Sequence, residues 1–300
     1  MNEYRPLTSE EYNTLMPLLT RLGVLASNDI TRLVDSYLSK EYDVYLFHRQ
    51  HEKFILKKIK PVSHDKTIYD QYFDGLDFSV PRILDSIIMD EESYIVMEFA
   101  DGHDARNCTL EDARNIGIAL ARIQSHYLTN GGHTTPADTY FTRYTDKFCP
   151  KLKAYFEDFD SFFRFVQKRF FEAPHSLIHD DLLPINVMLG NENVWIIDWE
   201  TAGILPYFLD LARFAFVWNE KSGFYISYEA GMTFLDSYYD EMRKIPYFNI
   251  DKKQFYQDVA ISAFFQYAIF LYFEKDTKNI QSTAYFRFFK KILGQLKLDK

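Results

Sequence analysis

Only two of the 300 residues are cysteine, Cys108 and Cys149, and no C-x-x-C pair occurs. A disulfide framework and a zinc site are therefore not suggested, and both thiols are expected to be reduced and in the core. Positive charge is also in short supply: 34 Lys and Arg stand against 43 Asp and Glu, for a formal net charge of −9. A phosphate backbone needs clustered cations to neutralise it, so no nucleic-acid partner is expected. Long apolar runs are missing too. The longest, Val259 to Phe273, is interrupted by Ser262 and Gln266 and is too short to span a bilayer, which predicts a buried helix and no membrane partner. Met1 to Tyr12 carries Glu3, Glu10 and Glu11 and no apolar centre, so it does not read as a secretory signal. A soluble, cytoplasmic protein is expected.

Several catalytic motifs are absent as well. There is no G-x-S-x-G elbow, no H-E-x-x-H and no Walker A lysine. His48 and His51 fall in a predicted strand and turn, where an exposed pair is a better reading than a metal site. No fixed-period repeat or low-complexity tract interrupts the chain.

What the chain does have is bulk. Hydrophobic residues make up 47% and aromatics 18%, with 28 Phe and 22 Tyr, enough to bury a large core. Three hundred residues exceed what one core organises, so two lobes are expected. The first third reads as an antiparallel meander: Ile30 to Leu33, Asp43 to His48, Phe54 to Ile59, Val80 to Leu84 and Ser93 to Phe99 are short β-branched or aromatic runs between polar turns. One helix, Lys66 to Leu76, interrupts them. After the turn Ala100-Asp101-Gly102 the period changes to about three and a half. Thr109 and Asp112 form a capping box, and Ala113, Ile116, Leu120, Ile123 and Tyr127 make one apolar stripe. Apart from one hairpin, the remainder is helical in pattern through Lys300. The fold class is α+β, with a small antiparallel sheet and one helix ahead of a larger, mainly helical part.

That hairpin carries the chemistry. His179-Asp180-Asp181 leads through Leu182 to Leu189, then a Gly190-Asn191-Glu192-Asn193 turn, then Val194-Trp195-Ile196-Ile197-Asp198. If Leu189 pairs with Val194, Asn186 falls opposite Ile197, and Asn186 and Asp198 share the open end at roughly 5–8 Å. Asp181 lies on the loop leading in, so three oxygen-bearing side chains can converge. Phosphoryl transfer needs that set: a carboxylate to orient a hydroxyl and accept its proton, and an amide and a second carboxylate to hold Mg²⁺ against nucleotide phosphates. A single Asp would be read as a turn or cap residue, but the ordered combination is not explained that way.

The segment resembles the signature of the aminoglycoside phosphotransferase and choline kinase superfamily, relatives of protein kinases. His179-Asp180-Asp181, Ile197-Asp198-Trp199-Glu200 and Asp210-Leu211-Ala212 carry the likeness. The resemblance implies a bilobal protein-kinase-like fold: a nucleotide-binding lobe over residues 1–97, a hinge over 98–102, and a helical lobe over 103–300 holding the catalytic loop and acceptor site. It further implies Asp181 as catalytic base, His179 as an orienting residue, Asn186 and Asp198 as Mg²⁺ ligands, and Asp210 as a structural anchor. Phe54-Ile55-Leu56-Lys57 matches the phosphate-binding strand lysine, with Lys58 as competitor because adjacent strand side chains face opposite ways. Backbone groups of Glu98 and Ala100 would meet the purine of ATP or GTP.

Three departures accompany the likeness. No G-x-G-x-x-G lies between Arg32 and Tyr45, which leaves Ser36, Ser39 and the intervening backbone to meet the phosphates. No Glu occurs in Lys66 to Leu76 to pair with Lys57, so Asp70 or Asp74 is the substitute. Asp180 stands where Gly or Asn is usual and is expected to point away from Asp181. The implied partner is a small-molecule hydroxyl acceptor, cationic in the manner of an aminoglycoside or amino-sugar, with the protein acting as monomer or homodimer. Glu157, Asp158, Asp160, Glu200, Asp236, Asp240 and Glu241 suit a polyamine, while Trp199 and Trp218 suit choline through cation–π attraction. Composition does not choose between them. A choline or ethanolamine kinase and an inactive kinase-like binding protein are the alternatives.

Overall fold

A computed structural model describes residues 2–24, 26, 29–35, 39–59, 64–153, 159–191, 193–216 and 226–273. The chain divides into two compact units. The first comprises 1–103, 188–200 and 221–223, and the second takes in the rest.

The first unit is built on strands β1 (Asn2–Pro6), β2 (Ile30–Asp35), β3 (Lys40–Arg49), β4 (Glu52–Ile59), β5 (Ile83–Met89) and β6 (Glu92–Glu98). They form one sheet in the order β1-β2-β3-β4-β6-β5, antiparallel throughout. Two helices accompany it, α1 (Ser9–Leu22) and α2 (His64–Tyr72), where the sequence reading gave one. Helix α1 has its own signals. Thr8 and Glu11 form a capping box, and Leu15, Leu18, Leu19 and Leu22 make a buried face against Ile30, Phe47 and Leu56 of the sheet. Strand β1 is mostly polar and lies at the sheet edge, which is why alternation did not reveal it. Helix α2 begins two residues earlier than expected and stops short of Gly75, whose φ of 70° cannot continue a right-handed helix. Strand β5 starts at Ile83 rather than Val80, because Pro81 has no N–H to give to a ladder.

The second unit is mainly helical: α3 (Leu110–His126), α4 (Thr135–Arg143), α5 (Pro150–Lys153), α6 (Phe159–Glu172), α7 (Leu209–Ala215), α8 (Tyr228–Met242) and α9 (Lys252–Phe273). Helix α3 starts at the Thr109–Asp112 capping box and buries Ala113, Ile116, Leu120 and Ile123, as its stripe requires. The Val259 to Phe273 run lies in α9, with Val259 to Ala268 buried. Among the described residues, no helix is long and apolar enough to cross a membrane. A helical pattern did not announce the strand pair made by His175–Ile178 and Gly203–Pro206. All four residues of the first strand are buried, and so short a run cannot be told from helix by periodicity. Cys149 is buried and Cys108 half-buried, both as free thiols.

Candidate functional site

In the first unit, β4 lies inside the sheet between β3 and β6, with Lys57 opposite Val44 on one side and Ile95 on the other. The Lys57 Nζ lies 2.7 Å from Asp198 Oδ1 and 3.5 Å from Glu200 Oε2. Lys58 takes a different partner, Glu92, at 2.7 Å. Asp70, considered as a partner for Lys57, bonds Lys66 one turn away on its own helix instead, and Asp74 is exposed. The acidic companions of Lys57 thus come from the segment after the hairpin.

Asp198 adopts φ 65°, a left-handed conformation that a non-glycine residue holds only when its surroundings fix it. Trp199 supplies that constraint. Its indole is fully buried, lies 4.9 Å from the ring of Phe73 and donates from Nε1 to the carbonyl of Ile196. Trp199 is therefore a core peg and not an aromatic face for a cationic acceptor. Residues Val187–Leu189 and Val194–Ile196 are the strands of the expected hairpin, closed by Gly190 N–H donating to Asn193 C=O at 2.9 Å. At the end of β6, Glu98 donates its N–H to Arg82 C=O, while its carboxylate accepts from the Arg82 N–H and guanidinium. Ala100 is buried. Gly102 passes so close to Leu189 that an added Cβ would sit 2.1 Å from the Leu189 carbonyl oxygen, so this position requires glycine.

In the second unit, the loop His179 to Asn186 is held from below by Asp210 of α7. The Asp210 carboxylate is fully buried and accepts the N–H groups of His179 at 2.8 Å and Asp180 at 2.9 Å, one on each oxygen. Gln124 Nε2 of α3 is a third donor, at 3.2 Å. Burial pushes the Asp210 carboxyl up to about 7, while these N–H groups oppose the rise. His179, also buried, accepts the Asp181 N–H on Nδ1, and its carbonyl accepts the Thr201 hydroxyl at 2.8 Å. Its ring thus orients the loop backbone.

Asn186 ends a short 3-10 turn, Pro184–Asn186, and its Nδ2 donates to the Asp181 carbonyl at 2.8 Å. Ala105 N–H reaches the carbonyls of Pro184 and Val187 from outside the turn, at 2.9 Å each. Asp181 and Asn186 are thereby brought together, as the five-residue spacing requires. Asn186 belongs to the second unit and Asp198 to the first.

The two adjacent carboxylates take separate partners. Asp180, at φ 62°, accepts the Tyr140 hydroxyl at 2.6 Å. Burial raises Asp180 to about 6, opposed by that hydrogen bond and by the charges of Arg213 and Arg143. Asp181 Oδ1 instead accepts from Arg213 Nε at 3.0 Å and, in close contact, from Arg213 Nη2. Arg213 Nη1 in turn donates to Gln266 Oε1 of α9 at 2.7 Å. No sequence signal marked Tyr140, Arg213 or Gln266, because their approach to the loop depends on how helices pack.

The described carboxylates considered for the acceptor each have an ion-pair partner. Asp160 meets Lys153 at 3.0 Å, Asp236 meets Lys252 at 2.7 Å, Glu241 bonds Lys244, and Asp240 lies 3.9 Å from Arg243. Glu157, Asp158, Trp218 and Ser36 lie outside the described residues, whereas Ser39 is described and has φ 50°.

A strand lysine bonded to a carboxylate behind a hairpin, and a buried-histidine loop presenting Asp and Asn, define a phosphotransferase of protein-kinase-like fold. The sequence model of the phosphotransferase enzyme family matches residues 38–244, more than half of the chain, and the chain belongs to that family. No curated protein sequence matches significantly. Among solved structures, a thermostable mutant of aminoglycoside phosphotransferase APH(4)-Ia, in ternary complex with AMP-PNP and hygromycin B, is similar at 14% identity and TM-score 0.57, covering 93% of this chain and 98% of its own. Amicoumacin kinase hAmiN, in complex with AMP-PNP, Ca²⁺ and Ami, is 14% identical with TM-score 0.53, covering 96% and 97%. Choline kinase from Cryptosporidium parvum Iowa II is 12% identical with TM-score 0.57, covering 95% and 96%. These likenesses establish the shared fold.

Proposed function

We propose that this protein transfers the γ-phosphoryl group of ATP or GTP to a hydroxyl of a small molecule, working in the cytoplasm as a monomer or homodimer. The observation that carries the reading is the Asp181–Asn186 pair: a carboxylate on a loop anchored by a buried aspartate, hydrogen-bonded through its own carbonyl to an amide five residues on. In this reading residues 1–97 form the nucleotide lobe, 98–102 the hinge and 103–300 the lobe with the acceptor site. Lys57 meets the α- and β-phosphates, and the backbone of Glu98 and Ala100 meets the purine edge. The Glu98 N–H is engaged by Arg82, so its carbonyl is the group it offers.

Asn186 and Asp198 would hold Mg²⁺. Asn186 spends its Nδ2 on the Asp181 carbonyl, which leaves the amide oxygen as a ligand atom, and Asp198 adds a carboxylate. Among the described residues no three His, Cys, Asp or Glu side chains gather as a metal site. An oxygen pair fits a hard cation that completes its shell with phosphate and water. Bound there, magnesium neutralises charge on the transferring phosphoryl group. Asp181 then orients the acceptor hydroxyl and takes its proton, while the Asp210 and His179 contacts keep the carboxylate in place.

The names of the similar structures, which include an aminoglycoside phosphotransferase and a choline kinase, support an aminoglycoside or amino-sugar as acceptor, with choline or ethanolamine as the second reading. The test is ADP or GDP release with Mg²⁺ across those compounds. Asp181→Ala should lower turnover by about 10²–10⁴-fold while nucleotide binding stays within a few-fold. Equal turnover in the variant would remove Asp181 from its role. Nucleotide binding without turnover in the native protein would mark an inactive kinase-like binding protein.

A further inference from the structure

Helix α7 contributes to the loop twice. Asp210 fixes its backbone, and Arg213, three residues on and so on the same side of the helix, fixes its carboxylate. Two guanidinium N–H groups converge on the same oxygen, Oδ1, of the residue assigned as base. A guanidinium is a costly neighbour for a base to carry unless it has another use. The pair is also easily exchanged: Arg213 and Asp181 side chains are 20% and 38% exposed, and ion pairs that open to water contribute about 0–1 kcal/mol. The planar fork of arginine suits carboxylate and phosphate oxygens equally well.

Arg143 is a second guanidinium whose field reaches Asp180, and Asp180 itself is engaged by Tyr140.

We infer that the acceptor carries an anionic group, a carboxylate or a phosphate, close to the hydroxyl that is phosphorylated, and that Arg213 reads it. The inference rests on the phosphotransferase reading of Asp181 and departs from the aminoglycoside, amino-sugar, choline and ethanolamine acceptors named above, none of which carries an anionic group. On binding, the guanidinium passes from Asp181 to the acceptor's anionic group, and Oδ1 becomes open to the hydroxyl proton. The hydroxyl oxygen forms a bond to the γ-phosphorus, the bond from that phosphorus to the β–γ bridging oxygen breaks, the proton ends on Asp181, and the nucleoside diphosphate leaves with the bond electrons. An acceptor without an anionic group leaves the ion pair in place and reacts slowly.

The experiment uses matched acceptors at fixed MgATP: glycerate against glycerol, homoserine against 3-aminopropanol, gluconate against glucose, with glucosamine and kanamycin as cationic members. Nucleotide binding is measured alongside by calorimetry. The anionic members should lead in kcat/KM by about ten- to a hundredfold, the effect of a hydrogen bond to a charged group. Arg213→Gln should erase that preference, and Arg213→Lys should keep part of it. A merely structural role would lower both members of each pair alike and leave their ratio unchanged. If Arg213→Gln does not fold, Gln266→Leu, which removes the support of Nη1, should reduce the same ratio. Equal rates for cationic or neutral members, or an unchanged ratio in the variants, would each overturn the inference. Failure to bind nucleotide, or nucleotide binding with no member phosphorylated, would instead overturn the kinase reading beneath it.

Discussion

Asp180 occupies a left-handed backbone position, φ 62°, in the loop where this superfamily's signature carries Gly or Asn. Both of those residues tolerate that conformation, so the unusual Asp is a matter of backbone geometry before it is one of charge. Its carboxyl, raised to about 6 by burial, lies above an unfolded value near 4. The folded state therefore holds the proton more tightly, and the stability this gives is full at low pH and lost as pH rises from about 4 to about 6. Melting temperature in wild type should fall across that interval, and Asp180→Asn should show a smaller fall. Identical slopes would place the titration at another group. The two lysines of β4 give a second comparison. Lys57→Ala should weaken MgATP use by at least about tenfold in kcat/KM, because a charge-assisted contact to phosphate is lost. Lys58→Ala should change it less than about twofold, since Lys58 ends on the exposed carboxylate of Glu92. A reversed ranking would reassign the strand lysine.

Helix packing in the second unit depends on two glycines. An added Cβ at Gly117 of α3 would lie 2.5 Å from the carbonyl oxygen of Phe234 on α8, and one at Gly231 of α8 would lie 2.3 Å from that of Ala215 on α7. Backbones this close leave no room for a methyl group. Gly117→Ala should destabilise by about 1–3 kcal/mol in chemical denaturation, although alanine is the better helix former by about 1 kcal/mol. A stabilised variant would show that α3 and α8 can separate at no cost. Elements with strong local signals were legible from the sequence: α3 from its capping box and stripe, β4 from its apolar run, and the hairpin from its Gly–Asn turn. Helix α1 carried equally plain signals in Thr8, Glu11 and its leucines. The strand pair 175–178 and 203–206 carried none, because four buried residues show no period and their partner lies far along the chain.

For the molecule as a whole, the proposed function predicts stabilisation by nucleotide and magnesium through mass action. MgATP at about a hundred times its dissociation constant should add roughly 2.7 kcal/mol to folding stability. Chelation of the metal should remove most of that increment, as should Asp198→Ala. A melting shift indifferent to chelator would argue against Asn186 and Asp198 as ligands. Residue types and spacing carried the expectation of phosphoryl transfer: His179, Asp181 and Asn186 are close in sequence, and a short loop gathers such neighbours with little help. Arg213, Gln266 and Tyr140 came from the packing of helices, and the pairing of Lys57 with Asp198 across 141 residues came from a sheet strand meeting the segment after the hairpin. Local order is written in neighbouring side chains, whereas the charge that meets a loop carboxylate such as that of Asp181 depends on which distant surfaces bury one another.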